Sequence, residues 1–474
     1  MDLTYEKISP AFYFTGYSAT MKNLRLYTLF ALIVFSVNCC VGNKDKTTGK
    51  NSLSEFKKIS DDSLLTLVQY RTFQYFWDGA EPNSGMARER FHVDGIYTEN
   101  DMNVVTSGGS GFGLMAILVG VERDFITRDE AVTRFSRIIE FLKHADRFHG
   151  AWPHWIYGET GKAKPFSPKD NGADIVETAY LMQGLLAVRQ YFINGSEREK
   201  LLASEIEKLW KEVEWTWFTK GGENVLYWHW SPNYRWEMNF AVKGYNECLI
   251  LYILAASSPT YPIRPEVYHE GWARSGAINT HSSKYGYSLV LKHNDAEDYG
   301  GPLFWAHYSY LGLDPRFLKD KYADYWQENK NQTLINWKWC AQNPMKFAGY
   351  SEDCWGLSAS YSMKGYAAHA PGETNDLGVI TPSAALSSFP YTPEQSMNAM
   401  KHFYYNLGNK IWGEYGFYDA FSDQNNWYPQ RYLAIDQGPV VIMIENYRTG
   451  LLWNLFMSSE DIQNGLKLLG FIAD

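Results

Sequence analysis

The sequence predicts an all-α fold in which inner and outer helices alternate around one closed double ring, an α/α toroid. Three observations carry that expectation. Apolar residues recur at i, i+3, i+4, i+7 spacing in about a dozen segments, with few long β-branched alternations. The segments are too many for a four-helix bundle and lack the fixed-period self-similarity of a solenoid. No Pro/Ser-rich linker or charge run divides the chain after Lys58, so residues 59–474 are read as a single domain.

The elements follow in order. A first helix begins near Asp61 and carries Leu64, Leu67 and Val68, then Tyr75 and Phe76. Ser110 to Val121 is the second; its Gly109-Ser-Gly111-Phe-Gly113 run has no hydrophobic strand before it, so close helix packing explains the glycines better than a dinucleotide loop. Thr127-Arg-Asp-Glu130 is a capping-box signature, followed by Phe135, Ile138, Ile139 and Leu142 on one helix face. Asp174 to Phe192 reads as a helix, and Ser196-Glu-Arg-Glu199 opens another through Ile206, Leu209 and Val213. Further helices are expected at Val242 to Ala256, Gly301 to Leu311, Lys319 to Gln342, Cys354 to Ser360, Ser383 to Phe389, Pro393 to Leu407, Pro439 to Met457 and Ser459 to Leu469. Val225 to Asn239 and Arg264 to Gly301, rich in Gly, Tyr, Trp, His and Asn, read as long loops or short strands, and long loops of this kind are usually functional.

The N-terminus has an export pattern: Lys22 and Arg25, an apolar run from Leu26 to Val37, then Cys39 and Cys40 and a polar tether over 41–58. Residues 1–40 are therefore expected to be a signal segment, with Met21 as an alternative start and lipidation at Cys39 or Cys40. That would place the protein in the periplasm or at the outer membrane, held by a lipid anchor. Beyond the signal only Cys248, Cys340 and Cys354 remain, without CxxC spacing, so buried free thiols are expected rather than disulfides or a structural zinc site.

Composition narrows the function. Lys and Arg number 44 against 53 Asp and Glu, a net charge of −9, which removes any general attraction for nucleic acid or acidic membranes. Aromatic residues reach 16%, a level that suits both sugar-stacking clefts and large helical cores. No GxSxG elbow, HExxH or GxxxxGK[ST] motif is present. The carboxylates are more informative. Asp170, Asp174 and Glu177 sit at spacings of four and three, on one side of a helix or its entry turn. Glu247 precedes a strongly apolar stretch, where a carboxyl acquires the raised pKa of a general acid. Asp436 enters the apolar segment that holds Glu445, Asn446 and Arg448. Each acid alone reads as a helix cap or dipole partner. Together, with aromatic runs such as Ala151-Trp-Pro-His-Trp155 and Tyr227-Trp-His-Trp230, they point to carboxylates converging in an aromatic cleft, which is glycosidase chemistry.

Thr106-Ser-Gly-Gly-Ser-Gly-Phe-Gly113, Asp170 to Thr178, Gly244-Tyr-Asn-Glu247, Gly349-Tyr-Ser-Glu-Asp-Cys-Trp-Gly356, Tyr415-Gly-Phe-Tyr-Asp419, Asp436-Gln-Gly-Pro439 and Glu445-Asn-Tyr-Arg-Thr-Gly450 occur in that order. The series resembles the bacterial glucoamylase-like proteins of glycoside hydrolase family 144, from about Asp61 to the C-terminus. The resemblance implies an (α/α)6 toroid and hydrolysis of β-1,2-glucan with inversion, internally or by release of sophorose, without a cofactor or metal. It implies Glu247 as general acid, Asp436 as general base, and Asp170, Asp174 and Glu177 as acids lining the substrate cleft. Tyr350 and Trp355 are read as sugar platforms, with core packing as the other reading. The competing functions are a hydrolase or lyase of the same toroid acting on another polysaccharide, and a non-catalytic glycan-binding lipoprotein. The only partner expected is a glucan.

Overall fold

In the computed structural model, which describes residues 58–97, 101–295 and 298–473, amphipathic helices alternate along the chain with helices buried on every side. The expected signal segment and nearly all of the tether lie outside the described residues. Chain order gives α1 (Asp61–Trp77), α2 (Ser107–Glu122), α3 (Arg128–His144), α4 (Ile175–Phe192), α5 (Glu197–Lys211), α6 (Leu249–Ser257), α7 (Tyr325–Gln342), α8 (Pro382–Leu386), α9 (Pro393–Lys401), α10 (Gly408–Ile411), α11 (Ala434–Arg448), α12 (Leu451–Met457) and α13 (Glu460–Leu468).

Burial separates two rings. α2 is buried from Ser107 to Gly120, α4 from Ile175 to Arg189, and α6 over all nine residues; such helices carry no polar stripe and must lie inside. α8 and α11 are buried in the same way, and two 3₁₀ turns, Leu303–Ala306 and Tyr308–Tyr310, fill the remaining inner position. α1, α3, α5, a π-turn at Val267–Trp272, α7 and α9 each precede an inner element; their buried faces are mainly apolar except in α7, which buries Glu328, Asn329, Asn331, Gln332, Thr333 and Asn336. α1 packs against both α2 and α11, so the first outer helix bridges the first and last inner helices and closes the α/α toroid. α12 and α13 pack behind α4 and α6.

Both expected capping boxes form: Thr127 with Glu130 opens α3, and Ser196 with Glu199 opens α5. The glycine run of α2 is a contact surface. A Cβ on Gly111 would lie 2.1 Å from the Tyr180 carbonyl oxygen, and one on Gly184 would lie 2.1 Å from the Gly111 oxygen. Reciprocal glycines thus let the backbones of α2 and α4 touch. The three cysteines outside the signal are buried free thiols, as expected.

Several boundaries differ from the sequence expectation. The helix expected from Val242 starts only at Leu249, because Gly244 has φ +83° and Tyr245 pairs with His293 as an isolated bridge. Gly301 to Leu311 winds as 3₁₀ turns, and Cys354 to Ser360 is not helical; its end enters a hairpin, Ala359–Ser362 with Gly365–Ala368. The helix expected from Pro439 begins five residues earlier at Ala434 and stops at Arg448, where Gly450 at φ +73° separates it from α12. The two long irregular segments hold short strands, including Leu226–Tyr227, His229–Trp230 and the hairpin Asn279–Lys284 with Tyr287–Leu291.

Candidate active site

The N-terminal ends of the inner helices gather the acids. Asp174 caps α4, its Oδ1 accepting the backbone N–H groups of Val176 (3.0 Å) and Glu177 (2.9 Å). Glu177, one turn on, reaches across to α2, where its Oε2 accepts the Gly108 N–H at 2.8 Å and the Thr106 hydroxyl at 3.4 Å. Glycine is required at 108: a Cβ there would meet Glu177 Oε2 at 2.5 Å. Asp170 lies on the loop before α4. The orphan N–H groups and positive dipole ends of α2 and α4 offset the concentrated negative charge.

Two histidines complete this corner. The pairing of Ala173–Asp174 with His229–Trp230 sets Asp174 opposite His229, whose Nε2 is 3.4 Å from Asp170 Oδ2 and 4.0 Å from Asp174 Oδ2. His154 Nδ1 donates to Asp174 Oδ2 at 3.0 Å, and its Nε2 lies 3.9 Å from Glu177 Oε1. Burial alone would lower the His154 pKa, but the charges of Glu177 and Asp174 outweigh it and push the imidazole up to about 9. The same partner holds Asp174 below the usual carboxylate range against its burial. Burial, reinforced by Asp174, pushes Asp170 up to about 7 and also raises Glu177. His229 is lowered to about 4 by burial, with the charge of His154 working against the pull of Asp174, and is neutral. Ligand atoms of His154, Asp170 and Asp174 all lie within 4.8 Å of one another, spacing that would suit a cation.

Glu247 sits half-buried on the turn before α6, which the Asn246 side chain fixes by accepting the Cys248 N–H at 3.0 Å. Its carbonyl accepts the hydroxyls of Ser309 (2.5 Å) and Tyr180 (3.3 Å), so the backbone is held from two inner elements while the carboxyl stays available. Burial, with a further push from Glu177, raises that carboxyl to about 7. At neutral pH a large share of it carries a proton.

Asp436 is the third residue of α11 and is buried, with Oδ1 accepting the Ser383 hydroxyl of α8 at 3.0 Å. A second buried carboxyl, Asp419, adjoins it, and the Asp419 Oδ2 accepts the Tyr361 N–H at 2.8 Å. Burial followed by the charge of Asp419 drives Asp436 well above the carboxylate range, while Asp419 rises to about 6. Tyr308 and Tyr366 lie near both centres; each feels the charges of Asp436 and Glu247.

The expected acids therefore converge. The expected sugar platforms do not: the Trp355 ring is fully buried, with Nε1 donating to the Gln395 carbonyl at 3.3 Å. Tyr350 is also buried and donates to Asp376 Oδ1 at 2.8 Å, so both are core residues and neither offers a face to a sugar. An aromatic that does reach solvent beside the acids is Phe240, 38% exposed and packed on His229 and Trp228. Sequence reasoning missed Asp419, His154, His229, Tyr308 and Tyr366 as site residues. Asp419 and His154 sat inside motifs singled out for other reasons.

The chain is similar to several known proteins. The family model described as "Putative glucoamylase" matches residues 239–460. An endo-β-1,2-glucanase from Chitinophaga pinensis, solved with sophorotriose and glucose, is 67% identical over 88% of this chain and 99% of that one, with a TM-score of 0.87. An exo β-1,2-glucooligosaccharide sophorohydrolase (non-reducing end) from Parabacteroides distasonis is 47% identical over 427 residues, 86% of this chain; the chain spans only 58% of that relative's length. An endo-β-1,2-glucanase from Talaromyces funiculosus, solved with sophorose, shares the fold at 12% identity and a TM-score of 0.59 over 86% of this chain and 92% of that one. Two-thirds identity across nearly the whole of the Chitinophaga enzyme leaves one conclusion: the chain belongs to the glucoamylase-like family, glycoside hydrolase family 144.

Proposed function

We propose that the protein is an inverting glycoside hydrolase that cleaves β-1,2-glucan internally. The arrangement that carries the chemistry is two separate carboxyl centres at the entries of inner helices: Glu247 on the turn before α6, its pKa pushed up to about 7 by burial, and the buried Asp419–Asp436 pair at the start of α11. One centre can give a proton while the other takes one, which is what hydrolysis with a single displacement requires. Glu247 donates to the glycosidic oxygen, directly or relayed by a substrate hydroxyl, and Asp436 removes a proton from the water that attacks the opposite face of the anomeric carbon. Phe240 is the aromatic face we assign to a sugar ring.

The linkage rests on the relatives, both named for β-1,2-glucans. Internal cleavage is favoured because the endo-acting relative is 67% identical over its whole chain, against 47% for the exo-acting one over part of its length. Proton NMR of a β-1,2-glucan digest tests the stereochemistry: the first new reducing ends should be α-anomers that then mutarotate. β-Anomers first would mean retention and would remove Asp436 from the role of base. We propose further that the chain is exported and lipid-anchored, on the strength of the apolar run ending at Cys39 and Cys40.

A further inference from the structure

We propose that Asp419 and Asp436 share one proton and act as a single unit, with Asp419 the positioning residue that keeps Asp436 able to serve as the base; this rests on the reading of Asp436 above and deepens it. The geometry is specific. Each carboxyl has one satisfied oxygen: Asp436 Oδ1 accepts from Ser383 and Asp419 Oδ2 from the Tyr361 N–H. The other two, Asp436 Oδ2 and Asp419 Oδ1, are buried and receive no hydrogen bond from any N–H or hydroxyl among the described residues. The two side chains are nonetheless within hydrogen-bonding reach of each other. Two carboxylates in that position would repel, and a single proton between the leftover oxygens satisfies both.

Surrounding groups fix where the charge rests. Asp419 has Arg90 beside it, tempered by Glu89, and the N–H of Tyr361. Asp436 faces Ser383 on α8, and Tyr308 and the half-buried Tyr366 lie near enough to feel its charge. Arginine and the amide stabilise charge on Asp419, so in the resting enzyme Asp436 holds the proton. During attack that proton crosses to Asp419, and the freed Asp436 carboxylate accepts one proton from water. The remaining hydroxide oxygen bonds to the anomeric carbon as the C–O bond to the leaving sugar breaks, and Glu247 supplies the proton that oxygen needs. The pair then holds two protons and Glu247 none; loss of one to solvent and return of one to Glu247 restore the start.

The test is an infrared titration of carboxyl C=O bands in the whole protein, alongside Asp419→Asn and Asp436→Asn. Asparagine at 419 can still accept the Tyr361 N–H and turn its amide toward Asp436, so the fold is kept. The wild type should retain at pH 9 a protonated carboxyl band that both variants lack. Asp419→Asn should also lower kcat by about 100-fold while KM stays within about twofold, since the residue acts on a proton and touches no sugar. Absence of that band in the wild type, its survival in Asp419→Asn, or wild-type kcat in that variant would overturn the proposal. The infrared result does not depend on turnover, so inactivity on β-1,2-glucan would count against the functional reading alone.

Discussion

Glu247→Gln is expected to leave the protein folded and to lower kcat on β-1,2-glucan by about 1,000-fold, within the range a lost general acid costs. The amide has the shape of the protonated acid and its oxygen can still accept from the Glu247 N–H, while the contacts to neighbouring elements are made by the Glu247 carbonyl. Only the transferable proton is lost. The pH profile makes the argument sharper. Wild-type kcat/KM should fall as pH rises through about 7, because the acid must be protonated, and should fall as pH drops below about 6, because the aspartate pair must carry a charge. The optimum then lies between those values, and residual activity in Glu247→Gln should lose the alkaline fall while keeping the acidic one. Stability gives an independent check of sign. A carboxyl whose folded pKa is raised favours the folded state most at low pH and opposes it progressively as pH rises from about 4.5 to about 7. Glu247→Gln removes that opposition, so it should be more stable than wild type above pH 7 by denaturant titration. Near-normal turnover in the variant would end the assignment.

Gly111→Ala should destabilise the protein by about 3 kcal/mol, the upper part of the range for overpacking, despite the better helix propensity of alanine. The added methyl would lie 2.1 Å from the Tyr180 carbonyl oxygen and 2.6 Å from the Leu181 Cα, both backbone atoms that no rotamer change can move aside. α2 and α4 would have to separate, and with them the contact of Glu177 with the Gly108 N–H. The variant should therefore lose activity as well as stability, measured as a lowered thermal midpoint and reduced kcat on the folded fraction. An unchanged midpoint would mean that the inner ring tolerates wider spacing than these contacts allow.

The ring itself was readable because its causes are local. Capping boxes at Thr127 and Ser196, and runs of apolar residues that are amphipathic or wholly buried, leave a mark within one or two turns. The start of α6 was not readable in that way, since apolar periodicity continues through a segment that Gly244 turns aside at φ +83°. That turn is what presents Glu247. The acids could be picked out because carboxylates at helix entries are conspicuous in an apolar context. Their partners could not. Asp419 meets Asp436 through the packing of a loop against α11, and His229 meets Asp174 through strand register; neither relation has a sequence spacing. Trp355 and Tyr350 show the reverse limit, because an aromatic ring reads the same in sequence whether it lines a cleft or, as here, fills the core.

The most direct test of the account is a size-resolved time course of linear β-1,2-glucan digestion by the chain lacking residues 1–40. A ladder of intermediate oligosaccharides that shortens with time is the predicted result, produced by internal cleavage at the acids gathered at the N-terminal ends of the inner helices. No product at all, or sophorose alone from the earliest points, would contradict it.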